Sequence, residues 1–338
     1  MASSKLWRVA ALAHQDVLSI SSVHAGQLIA RASHMGSWSS LTTLYICTTC
    51  MELGASHAAC GMRREQLRRN VEAAFSSRCG FTNIFSLDLG SFSELSASLT
   101  KSVLRALPNL TALCAAGCSL VDISISLAGL PSLCERLQKL SIGGMCDQIA
   151  RMGDQSSARA REEEAMRSLG RLRRLETLVL SRPYPDRSHI PSGLRSLRRL
   201  HIEDNLEMGP ADGVVSDEFL ASAFAVLPLL ETFSCECMEI SGTSLRSTSL
   251  TALSLHSCSG LTADGLHAMV GALPALRKLA FTSIFDEAND PYYEVHDLID
   301  FIASCHELAE VSWGGHRGQF ISQGRALRLK LVVRVLRK

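Results

Sequence analysis

Residues 250–281 read LTALSLHSCSGLTADGLHAMVGALPALRKLAF, and the order of their apolar positions decides the architecture. Leu250, Leu253 and Leu255 open the stretch, and Leu276, Leu279 and Phe281 close it with the same spacing. The last two members of each triplet alternate with their neighbours, the period of a short strand with one buried face. Between the triplets, Leu266, Met269, Val270 and Leu273 follow helical spacing, so an amphipathic helix separates the two strands.

The same unit recurs on both sides of this stretch. Upstream the triplets are Leu41-Leu44-Ile46, Ile84-Leu87-Leu89, Leu110-Leu113-Ala115, Leu137-Leu140-Ile142, Leu175-Leu178-Leu180, Leu197-Leu200-Ile202 and Leu230-Phe233-Cys235; downstream stands Leu308-Val311-Trp313. Successive starts lie 43, 26, 27, 38, 22, 33, 20, 26 and 32 residues apart, so the two longest gaps hold insertions or a missed unit. Such self-similarity defines a stack in which each unit completes its neighbour's core. Helical spacing also marks Leu67, Val71 and Phe75, and again Leu99, Val103 and Leu107. Pro108, Pro228 and Pro274 stop three of the helices, since proline disfavours helical geometry in the residue before it; the next strand is expected two residues later. Eight residues after the start of seven of these triplets stands a corner residue (Phe92, Cys118, Met145, Met238, Cys258, Ile284, with Asn205 in one unit), expected to fill the space under the strand.

Composition agrees with stacked aliphatic layers. Of 338 residues, 46% are hydrophobic but only 5% aromatic, and the net charge of +1 provides no field to draw in nucleic acid or an anionic membrane. No apolar run approaches the roughly 18 residues of a membrane span. Twelve cysteines scattered along the chain suit a reducing compartment, and the expectation is cytoplasmic. Mitochondrial import is the lesser alternative, because residues 1–51 hold Lys5, Arg8 and Arg31 but one acid, Asp16.

Residues 250–281 resemble the cysteine-containing subtype of leucine-rich repeats, and the likeness extends over residues 41–320. It implies an α/β leucine-rich-repeat solenoid, a horseshoe with a parallel concave sheet and convex helices. That subtype is common in substrate receptors of cullin-RING ubiquitin ligases, where an F-box precedes the repeats. Residues 16–38, DVLSISSVHAGQLIARASHMGSW, are similar to the middle and end of a degenerate F-box but lack the opening Leu-Pro. Residues 1–40 therefore read either as an adaptor-docking segment or as a helical cap over the first repeat. Residues 321–338, where Leu327, Leu329, Leu331, Val333 and Val335 alternate, read as a capping strand.

Chemistry-bearing motifs are sparse. Cys47, Cys50, His57 and Cys60 are four potential zinc ligands, but their spacing departs from common metal patterns, and core cysteines are the default. Cys235 and Cys237 point to opposite faces of one strand. No phosphate loop, nucleophile elbow or His-Glu-x-x-His occurs, so neither catalysis, metal nor cofactor is expected. The charged run at 159–164 reads as a solvated insertion or a docking helix. What remains is protein binding through side chains lying between the buried leucines, with a ligase substrate receptor or a structural subunit of a larger assembly as the alternatives. The candidates are Tyr45, Asp88, Thr177, Val179, Arg198, Arg199, His201, Ser234, Ser254 and Lys278, with the anchors concentrated at Arg198, Arg199 and His201.

Overall fold

The computed structural model describes residues 17–20, 41–46, 69, 71–72, 75, 81–89, 97–116, 129–143, 164, 167–181, 192–203, 217–236, 240–256, 260–282 and 295–314. The chain divides into two compact units, Met1–Leu175 and Glu176–Lys338. In the first, strands β1 (Val17–Ile20), β2 (Thr43–Ile46), β3 (Ser86–Asp88), β4 (Ala112–Ala115) and β5 (Lys139–Gly143) each pair in parallel with the next. Helix α1 (Ala97–Ala106) connects β3 to β4. The second unit continues the same plan with β6 (Thr177–Ser181), β7 (Arg199–Glu203), β8 (Thr232–Glu236), β9 (Ala252–His256), β10 (Lys278–Thr282) and β11 (Glu310–Gly314), parallel and in sequence order. Its helices are α2 (Asp217–Val226), α3 (Ala263–Met269) and α4 (Val295–Ser304).

The triplets are the core. Leu178, Leu200, Phe233, Leu253 and Leu279 occupy one register row, and each is at most 1% exposed. Phe224 of α2 stacks edge-on against Phe233, with ring centroids 5.5 Å apart, so the helix covers the leucine side of the sheet. Val311 follows the same parity but is only half-buried.

A further buried residue stands three positions before nearly every triplet: Phe81, Leu107, Cys134, Leu172, Leu194, Leu227, Leu273 and Cys305. Its carbonyl accepts from the N–H of the triplet's first member, as in Leu110 to Leu107 at 3.2 Å and Leu308 to Cys305 at 3.0 Å. This turn moves the strand start: β4, β8 and β10 begin four residues after Pro108, Pro228 and Pro274, not two. The residue preceding each strand then locks the register. Arg198 N and Arg199 N both donate to Glu176 O at 2.9 Å, and Glu231 and Thr232 repeat the arrangement on Arg198 O. Two donors on one carbonyl satisfy its two lone pairs.

Several expectations change. Residues 17–20, assigned to a helical N-terminal segment, form β1 in register with β2, because Leu18 and Ile20 repeat the spacing of Leu44 and Ile46. Val270, counted in an apolar helix face, is 43% exposed, since α3 ends one residue earlier. The corner positions Phe92, Cys118, Met145, Asn205, Met238, Cys258 and Ile284 lie outside the described residues, as do Cys47, Cys50, His57, Cys60 and the tail from 321.

Between β8 and β9, the shortest repeat, residues 240–250 hold turns and no helix. Asp217 at the start of α2 accepts from Ser241 N at 2.8 Å, and α3 packs so closely that a Cβ on Gly265 would lie 1.6 Å from Ser241 O. Gly271, at φ +70°, has open space where a Cβ would stand. Gly265→Ala is therefore expected to cost at least about 3 kcal/mol by overpacking, against about 1 kcal/mol for Gly271→Ala from left-handed strain alone. Leu253→Ala, which empties the middle of the buried row, is expected to cost about 2–5 kcal/mol. Denaturant unfolding of the three variants reads both effects, and equal losses for the two glycines would contradict the close approach.

Candidate protein-binding face

Strand parity leaves every second side chain of the sheet on the side opposite the helices. In the second unit these residues form three rows. The leading row is Thr177, Arg199, Thr232, Ala252, Lys278 and Glu310; the middle row is Val179, His201, Ser234, Ser254, Ala280 and Ser312. A trailing row follows where the strands run on, with Ser181 beside Glu203 and Glu236 beside His256.

Of the sequence candidates, Thr177, Val179, Arg199, His201, Ser234, Ser254 and Lys278 lie on this face. Arg198 does not share it. It precedes β7, and its guanidinium pairs with the Glu231 carboxylate on the residue preceding β8. Tyr45 and Asp88 belong to the first unit, adjacent in register and neighboured by Cys114 and Ser141. Sequence reading missed Glu203, Glu236, His256 and Cys114. All four obey the same alternation, the first three lying one position beyond the triplet.

The charges on the second unit's face are partly engaged. Ser181 Oγ donates to Glu203 Oε2 at 2.6 Å, and His201 Nε2 lies 2.8 Å from Glu203 Oε1. Ser254 Oγ and His256 Nε2 share a hydrogen bond at 2.6 Å, and Lys278 Nζ meets Glu310 Oε2 at 3.0 Å. Among the described residues, no carboxylate pairs with Arg199 and no base pairs with Glu236. Beside Arg199, the hydroxyl oxygen of Thr177 is buried and has no hydrogen-bond partner among the described residues.

This geometry defines the class: the chain is an α/β leucine-rich-repeat protein, because its in-register parallel strands bury the Leu-x-x-Leu-x-Leu triplets row upon row. No family model and no curated protein matches it. Solved structures with a similar chain path include the leucine-rich repeat-containing protein LegL7 from Legionella pneumophila, 14% identical over 95% of this chain and 97% of that one, with a TM-score of 0.48. The yeast Rad7 and Elc1 complex is 15% identical over 93% of this chain and 68% of the other, at 0.47. Internalin C2 from Listeria monocytogenes is 14% identical over 73% and 83%, at 0.36. At such scores the likenesses add nothing to the fold, which rests on register and burial. No helix among the described residues is long and apolar enough to cross a membrane.

The described cysteines Cys114, Cys134, Cys235 and Cys305 are thiols outside any disulfide. Burial pushes the Cys134 thiol up to about 12 from 9.0, and it raises Cys305 as well. On the outward face Cys114 is raised first by burial and also by the negative charge of Asp88, the reverse of what activates a thiol. A folded-state value above the unfolded one makes the native chain hold its proton longer, so stability is full below pH 9 and falls as pH rises toward 12. One such thiol accounts for at most about 1.4 kcal/mol per pH unit in that window. Unfolding free energy measured from pH 8 to 11 is expected to fall less steeply in Cys134→Ala than in the parent, and an unchanged slope would remove the thiol as its source.

Proposed function

We propose that this chain is a non-enzymatic binding module that holds another protein on the outward sheet face of its second unit. Arg199 carries the reading. It is exposed, unpaired among the described residues, and flanked in register by the smaller Thr177 and Thr232, so a partner's group can reach it without first breaking a native ion pair. Arginine with an open approach is a favoured anchor at protein interfaces, where a few residues dominate the affinity. The middle row beside it, Val179, His201 and Ser234, mixes apolar surface with hydrogen-bonding groups, as interface cores do. Tyr45, 40% exposed beside Asp88 in the first unit, is a separate and smaller candidate contact.

A role for residues 1–40 as a ligase adaptor site has less support, since that reading calls for helices and residues 17–20 form β1. The face itself specifies a surface chemistry and leaves the partner to be found. Affinity purification from cells, repeated with Arg199→Glu, tests the proposal. The variant is expected to lose its specific partner at least tenfold while the thermal midpoint shifts by less than about 2 °C, because surface changes away from packed features stay within about 0.5 kcal/mol. Retention of every specific partner by Arg199→Glu would overturn it.

A further inference from the structure

The three outward rows of the second unit differ in sign. In the leading row, the Lys278 ammonium is neutralised by Glu310, which leaves Arg199 as the open cation among described residues. In the trailing row, Glu203 and Glu236 lie at the ends of neighbouring strands β7 and β8, and both are half-buried. Glu203 accepts from Ser181 and His201, whereas Glu236, beside His256 in register, forms no ion pair among the described residues. Four residues of strand separate the Arg199 and Glu203 positions, roughly 13 Å at about 3.3 Å per residue. The face therefore presents a cation at one edge, an acidic pair at the other, and a mostly uncharged middle row between them.

We infer that the partner is a polypeptide segment carrying a carboxylate over Arg199 and a basic group over Glu203 and Glu236, about 13 Å apart. This inference rests on the outward-face reading above and gives the partner its chemistry. The strand order supports it. Glu203 and Glu236 end neighbouring strands, so one arriving cation can be met by two carboxylates. The opposed edges also fix direction: a segment docked end-for-end sets acid against acid and base against base, which like-charge repulsion penalises.

A phage-displayed library of random 12-residue peptides, panned on the full chain, supplies the probe. Enriched peptides are expected to carry one acid and one base spaced to span about 13 Å, four residues apart in an extended segment or about nine in a helix. The best of them, synthesised, is expected to bind at least tenfold more weakly to Arg199→Glu and to Glu236→Lys, and more weakly to the parent as salt rises from 0.05 to 0.5 M. Ser234→Trp, which blocks the middle row, separates the two levels of the proposal; each variant's far-UV circular dichroism is checked against the parent. Peptides lost on Ser234→Trp but indifferent to both charge reversals would overturn the charge pattern and leave the face standing. Peptides unaffected by Ser234→Trp, or no enrichment at all, would overturn both.

Discussion

A short parallel strand buries nothing alone, and this molecule depends on the way each leucine row closes against the next. Leu178, Leu200, Phe233, Leu253 and Leu279 sit at one register level because the carbonyl before each strand accepts two amides from the following repeat. Each repeat thereby fixes its neighbour's height to a single residue. A slip of one position would turn every leucine outward, so the apolar pattern and the backbone bonds specify the same register. The outward side chains carry none of this duty. That freedom allows Arg199, His201 and Glu203 to be polar on a strand whose other residues, Leu200 and Ile202, are buried.

Period-two alternation made the strands legible, since a residue's face follows from counting along each triplet. The triplet's last member falls one residue short of the trailing row, however, so Glu203, Glu236 and His256 lie outside the repeating pattern. Arg198 and Arg199 look equivalent as a dipeptide, yet one precedes the strand and its side chain meets Glu231 while the other stands on the face. The strand β1 stayed hidden for a related reason. Three residues before Leu18 stands Gln15, where other repeats carry an apolar residue, so the triplet is incomplete there. Only the hydrogen bonds of the turns showed that the repeat begins three residues earlier, at Leu107 or Cys305, because a buried residue in a turn has no period of its own.

Departures from the repeat collect where its length is shortest. Twenty residues from Leu230 to Leu250 leave no room for a helix, and the usual apolar residue three positions before the triplet is replaced by Ser247. Its hydroxyl accepts from Ser249 N at 3.3 Å, while Ser249 Oγ donates to Leu230 O at 2.9 Å; side-chain bonds stand in for the missing turn bond. One half of the gap is filled by the tight contact of Ser241 with Gly265. The other half is an open cleft of about 670 Å³ between the ends of α2 and α3, lined by Phe224, Leu227, Val270 and Arg246. A cation between two helix C-termini is well placed against their partial negative charge, which explains Arg246 without a ligand.

The charges divide into those paired between neighbouring repeats and those that remain open. Arg198 with Glu231 and Lys278 with Glu310 are exposed pairs joining neighbouring strands or the residues just before them, each worth about 0–1 kcal/mol in water. They neutralise the leading edge more than they stabilise it. With those cations answered, the field over the leading row is set by Arg199, and over the trailing row by Glu203 and Glu236. These three residues sit within the four-residue reach of adjacent strands, where screening at physiological salt, about 8 Å, attenuates the far pole but leaves contact-range pairing intact. A partner is therefore drawn weakly from a distance and sorted strongly on contact. That behaviour suits a chain whose net charge of +1 gives it no long-range preference.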